Sequence, residues 1–182
     1  SLAAESLTRV LYPDDSTTMG QGLRFVQEYF LVACALADLV RRFRRRNADW
    51  SALPDHVAIQ LNDTHPAVSV AELMRLLVDH HDLGFDEAWD ITRRTFGYTN
   101  HTLLPEALES WPLHLFERLL PRHMQLIYAI NAKLLREARP QTPILLVEDR
   151  SYSDAFLVTS KRERNLNSRA ALRKAYEQLT GD

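Results

Sequence analysis

HVAIQLN, residues 56–62, is followed by DTHPAV and then by SVAELMRLL. No other stretch restricts the fold as strongly. The first run is short, apolar and partly β-branched, and reads as a buried strand. Ser69 and Glu72 stand in the S-x-x-E spacing of a capping box, and Val68 and Leu73 are placed as a hydrophobic staple. The pattern predicts a helix from there through Leu76 and Leu77 to about His80. Strand, short loop and helix together make residues 63–68 a loop at the carboxyl end of a strand. That is the ligand-facing edge of an open α/β sheet.

The surrounding sequence is mostly helical. Residues 2–11 suit a short helix, and YPDDSTTMGQG breaks periodicity as a loop. Leu23, Val26, Phe30, Ala33, Ala37, Val40 and Phe43 recur at three- and four-residue steps, predicting a long amphipathic helix that ends near RRFRRR. Cys34 falls inside that apolar pattern, which predicts a buried thiol. A polar stretch occupies residues 47–54. Residues 85–96 are helical, with Phe85, Ala88, Trp89, Ile91 and Thr92 on the buried side. YTNHTLLPEALESWP, residues 98–112, connects to two further helices at 113–120 and 121–138. Pro121 suits a first helical position, and Met124, Ile127, Ile130 and Leu134 form the apolar stripe. Beyond Arg139 the pattern changes to an apolar run at 144–147, predicted as a buried strand, and a charged amphipathic helix carrying Leu166, Ala170, Leu172, Ala175 and Leu179. The fold class expected is therefore α/β and mostly helical, divided into residues 1–138 and a strand-helix tail at 139–182.

Composition narrows the function. At 182 residues, 46% hydrophobic and 25% charged with net charge −2, the chain is of ordinary soluble type. No apolar run approaches the ~20 residues of a membrane span, and the start is unlike a signal segment. A single cysteine suits a reducing compartment, so cytoplasm is expected and membrane association is not. The one basic cluster at 41–46 reads as the solvated end of a helix rather than a nucleic-acid patch, since no second basic stripe or interleaved aromatics accompany it.

Three polar clusters could carry chemistry: Asp14, Asp15 and Ser16; Asn62, Asp63, Thr64 and His65; Thr99, Asn100, His101 and Thr102. Each is a loop on a rigid support, and the residue types suit a hydroxyl-rich ligand. Each also has a plain structural reading as turn chemistry, which spacing alone favours. Asp63, His65 and His101 do not form a linked metal-ligand motif, and no metal is expected. A nucleophile elbow and a glycine-rich phosphate cradle are both lacking in a chain with five glycines.

LYPDDSTTMGQGLRFVQEYF, AIQLNDTHPAVSVAELMRLL and FGYTNHTLLPEALESWPLHLFERLLPRHMQLIYAIN, in this order, resemble the α-glucan (glycogen, starch or maltodextrin) phosphorylase family over about residues 2–135. The resemblance implies a cytoplasmic, commonly homodimeric glycosyltransferase that releases glucose 1-phosphate from an α-1,4-glucan using phosphate. It also implies pyridoxal phosphate, held by a lysine of the second of two Rossmann-like domains in a GT-B type fold. Residues 1–138 resemble the later part of the first domain. His101 resembles the active-site histidine that hydrogen-bonds the glucosyl unit. Asp63 and His65 resemble residues lining the same cavity, and Asp15 and Ser16 resemble the mobile gate loop. Glu109 resembles an acidic residue near that cavity. The gate departs from the family's Y-P-N-D-N, with Asp14 and Ser16 replacing amides. The cofactor lysine and the phosphate-binding residues belong to the missing C-terminal domain, so the chain alone is expected to be inactive. The tail, residues 140–182, resembles an internal segment of SGNH/GDSL-type hydrolases without its catalytic motifs. A non-catalytic glucan-binding module and a fused hydrolase fragment are the alternatives.

Overall fold

The computed structural model describes residues 2–101, 109–137 and 151–153. The chain divides into two units, Ser1–Leu103 and Leu104–Asp182, each described by itself.

The first unit opens with α1 (Leu2–Arg9) and α2 (Thr18–Arg44). Thr17 starts α2 by accepting the Gly20 amide at 3.1 Å, satisfying one orphan donor of the first turn. The helix runs 27 residues, about 40 Å at 1.5 Å per residue. Its buried side is Phe25, Val32, Leu36, Val40 and Phe43. This corrects the expected stripe, of which only Val40 and Phe43 are buried. Leu23 and Phe30 are exposed, as is Ala37. Cys34 is exposed too, not buried. Helical periodicity fits two apolar sides of α2, and the docking of α4 selects between them. At the C-terminal end Arg41 and Arg42 pair with Asp38 at 2.5 and 2.7 Å. Arg44 lies 5.0 Å from the Trp50 ring centroid and donates to the Asn47 and Ala48 carbonyls. Part of the basic cluster therefore closes the helix end locally.

A single 3-10 turn at Trp50–Ala52 runs into α3 (Leu53–His56), where the sequence suggested only a polar stretch. Pro54 near the start favours this short helix and takes His56 into it. The strand is consequently shorter than expected: β1 is Ile59–Asn62. α4 (Val68–Arg75) continues as a wider π-turn over Leu76–His80. The capping box is not formed. The helix begins two residues earlier than that motif requires, with Ala67 rather than Ser69 at the N-cap position, the Ser69 hydroxyl donates to the Pro66 carbonyl at 2.5 Å, and no side chain caps the start. Glu72 instead accepts two 2.8 Å bonds from the Arg75 guanidinium, and the Tyr29 hydroxyl of α2 donates to it at 3.5 Å. Glu72 is 2% exposed, so this pairing offsets the cost of burying its charge. Burial, with Glu72 beside it, raises the Tyr29 phenol above its ordinary value.

α5 (Phe85–Thr95) passes directly into β2 (Phe96–Thr99), where the sequence pattern predicts a helix end and a loop. β2 pairs parallel to β1, with Ile59 opposite Phe96 and Asn62 opposite Thr99. Helix α4 packs on α2 and α5, and Leu73, Met74, Leu77, Ala88 and Thr92 between them are fully buried.

Next to this core, His81 stacks at 4.4 Å on Trp50. Burial, then the Arg44 charge and then His80, lower its pKa below the ordinary 6.5. A lowered histidine pKa means that the folded state favours the neutral ring. The resulting stability is present above pH 6.5 and lost as pH falls through the lower folded value. Urea midpoints at about pH 7.5 and 5.5 should therefore fall on acidification, and His81→Phe should flatten that dependence.

In the second unit β3 (Ser110–Pro112) pairs antiparallel with β4 (Ser151–Ser153), and α6 (Leu113–Leu119) and α7 (Pro121–Glu137) follow β3. Pro121 takes the first helical position as expected. Trp111, Leu115, Phe116, Met124, Ile127 and Ile130 are its core. The strand expected at 144–147 and the helix expected after it lie outside the described residues.

Candidate functional site

Parallel pairing puts the carboxyl ends of β1 and β2 side by side, so the loops that follow them leave from one edge. The contacts across that edge are specific. The Asp63 amide donates to the Thr99 carbonyl at 2.9 Å. The His101 amide donates to Asp63 Oδ1 at 2.6 Å. His101 Nε2 lies 3.5 Å from Asn62 Oδ1, and Gln60 Nε2 donates to the Thr99 hydroxyl at 2.7 Å. Asp63 adopts φ 57°, in the left-handed region that Asp tolerates better than most residues. That conformation turns the chain at the strand end while its carboxylate reaches the next loop. The hydroxyl of Thr64, beside it, is buried with no partner among the described residues.

The segment before α2 meets this edge through Tyr12. The Tyr12 ring meets His65 edge-on, 5.2 Å between centroids. Tyr12 has φ 54°, which for an aromatic residue costs about 1–2 kcal/mol and persists only where surrounding contacts over-determine it. Those contacts come from α2. Gln27 Oε1 accepts the Tyr12 amide at 3.0 Å, Arg24 lies 5.4 Å from the Tyr12 ring centroid, and Arg24 Nη1 pairs with Asp15 Oδ2 at 3.0 Å. Asp14 and Ser16, the two departures from Y-P-N-D-N, satisfy each other. The Ser16 amide and hydroxyl donate to the Asp14 carboxylate at 3.0 and 2.7 Å. The Ser16 hydroxyl, then its amide, hold the Asp14 pKa below its ordinary value.

The structure thus brings Asp63, His65 and His101 to one edge, while Asp15 pairs with Arg24 in the segment that presents Tyr12 to His65, and Ser16 closes a turn beside Asp15. Glu109 belongs to the second unit, half-buried just before β3. Sequence reasoning passed over Tyr12, Arg24 and Gln27. Gln27 carried a faint signal as an amide flanked by Leu23, Val26 and Phe30 in an apolar pattern. Tyr12 carried none, because its conformation is set by partners distant in sequence.

Gly20 defines how closely this loop approaches α2. A Cβ there would stand 1.9 Å from the Asp14 carbonyl oxygen and 3.2 Å from the Thr17 hydroxyl. Gly20→Ala should push the loop off the helix, lowering stability by about 1–3 kcal/mol, the range for overpacking. Urea unfolding measures the loss, and the Ser16 amide resonance reports the displaced loop.

The model of the carbohydrate phosphorylase family matches residues 1–171. The chain belongs to that family. Human muscle glycogen phosphorylase is 52% identical over 148 residues, covering 77% of this chain and 18% of that protein. Glycogen phosphorylase of Chlamydia trachomatis is 52% identical over 140 residues, covering 77% and 17%. That of Synechocystis is 51% identical over 142 residues, covering 78% and 17%. The chain spans under a fifth of the length of these phosphorylases. The family match takes in residues on both sides of the boundary expected after residue 138.

Phosphorylase membership implies pyridoxal phosphate, and the described residues do not fit it. Lys133, the one lysine among them, pairs on α7 with Glu137 at 2.9 Å, one turn along the same helix. Among the described residues no His, Cys, Asp and Glu group could hold a metal ion, and no helix is long and apolar enough to cross a membrane.

Proposed function

We propose that the edge formed by Asp63, His65 and His101, with the segment that carries Asp15, is one wall of a glucosyl site in an α-1,4-glucan phosphorylase. This chain would supply part of the first Rossmann-like domain of a GT-B type enzyme. The observation that carries the reading is the contact of three loops at the carboxyl ends of β1 and β2. The loop after β1 holds His101 through Asp63 and meets Tyr12 through His65. Relatives named glycogen phosphorylase, at about half identity, supply the substrate class. In this reading Asp63 and Asn62 accept hydrogen bonds, and His101 orients a glucosyl hydroxyl from its imidazole. No chemical step is assigned to these residues. Phosphate attack and proton transfer belong to groups of the whole enzyme, and the full protein is proposed to be a cytoplasmic homodimer.

Calorimetric titration of the 182-residue chain with maltopentaose and with cellopentaose tests the reading. Saturable heat with the α-1,4-linked sugar alone is expected, together with no glucose 1-phosphate release from glycogen and phosphate. Equal binding of both sugars, or of neither, would refute the glucosyl site. Turnover above a blank would refute the assignment of the chemistry to groups outside this chain.

A further inference from the structure

α2 grips the loop before it through two residues one turn apart. Arg24 takes the Asp15 carboxylate, and Gln27 takes backbone alone. The Gln27 carboxamide is 4% exposed and satisfies three main-chain groups of the segment before the loop. Its Nε2 donates to the Leu7 carbonyl at 2.6 Å and to the Val10 carbonyl at 2.8 Å, and its Oε1 accepts the Tyr12 amide at 3.0 Å. The Leu7 carbonyl is one of the four that the end of α1 leaves without a helical partner. A buried amide that spends its hydrogen-bonding capacity on backbone in this way fixes a conformation. The conformation in question is unusual, since Tyr12 has φ 54° and stands half exposed with its ring edge-on to His65.

We propose that Gln27 is a positioning residue. By fixing the Tyr12 backbone in the left-handed region, it seats the phenol ring against His65 and sets the rim of the glucosyl site. Gln27 touches no sugar itself. The effect on glucan binding rests on the reading of the site given above, whereas the effect on Tyr12 and His65 does not.

The test uses the whole chain and the imidazole carbon–proton resonances of His65, which the Tyr12 ring current shifts. Tyr12→Leu marks the position of the resonance without the ring. Gln27→Met keeps the side-chain shape and removes all three bonds. Gln27→Glu keeps the acceptor for Tyr12 and removes both donors. The expected result is that Gln27→Met moves the His65 resonance to the Tyr12→Leu position and Gln27→Glu moves it part of the way. Folded variants with His65 unmoved would overturn the assignment. Should Gln27→Met fail to fold, Gln27→Glu decides by the same criterion. If neither folds, Gln27 is a core residue and the positioning role is overturned.

Maltopentaose affinity in the same samples should fall about tenfold if one molecule in ten keeps the loop seated, because apparent affinity scales with the competent fraction. His65 following Gln27 in a chain that does not bind maltopentaose would sink the glucosyl site and leave the positioning role standing. Normal affinity in a variant whose His65 has moved would sink the link between the two.

Discussion

Leu73→Ala lowers the unfolding free energy of the first unit by about 2–5 kcal/mol, the range for emptying a fully buried leucine site. Leu73 is 0% exposed on α4, which packs against α2 and α5. Met74, Leu77 and Ala71 around it are equally buried, so little side-chain surface remains free to collapse into the hole. The measurement is a urea midpoint with the m-value monitored, because an unchanged slope assigns the shift to native stability. Leu73→Met, which nearly conserves volume, should cost under about 1.5 kcal/mol. The consequence reaches the site. α4 begins where the loop after β1 ends, and α2 carries the grips on Tyr12 and Asp15. A loosened α4–α2 contact therefore separates His65 from Tyr12 before the unit melts.

The second large effect is at Asp63. Asp63→Ala should weaken maltopentaose binding about thirtyfold, or about 2 kcal/mol, within the range for a hydrogen bond to a charged group. The substitution removes the acceptor of the His101 amide at 2.6 Å and places a β-carbon residue without local hydrogen bonding at φ 57°. Asp63→Asn keeps one carbonyl acceptor and the tolerance for that backbone, so it should lose only a few-fold. Equal losses from Ala and Asn would mean that charge, rather than the tie to His101, is what matters. Titration calorimetry separates the cases, with circular dichroism showing that both variants stay folded.

What the sequence revealed and concealed divides along contact range. IQLN was legible as a strand because its residues carry the signal themselves. The helix after it was legible from its apolar content, although its start was not. Ser69 and Glu72 had the right spacing for a capping box, but Glu72 found a stronger partner in Arg75 on its own helix and in Tyr29 on another. α2 was legible as a helix and misjudged in its facing, because Phe30 and Ala37 fit the period as well as Val32 and Leu36 do. FGYT, residues 96–99, follows α5 with no turn residue between them, and four residues give little pattern to read. Its pairing with β1 spans 37 residues of chain between Ile59 and Phe96, and that pairing brings His101 to Asp63. The candidate residues stood out by type and by family resemblance. The hydrogen bonds that gather them were not.

The most direct measurement is a maltopentaose titration of the chain followed through the seven histidine imidazoles. His65 and His101 should shift together along one saturation curve. His56, His80, His81, His114 and His123 should stay in place, and Asp63→Ala should displace the curve to about thirtyfold higher maltopentaose. A titration that leaves His65 and His101 unmoved, or that shifts only the other histidines, would contradict it.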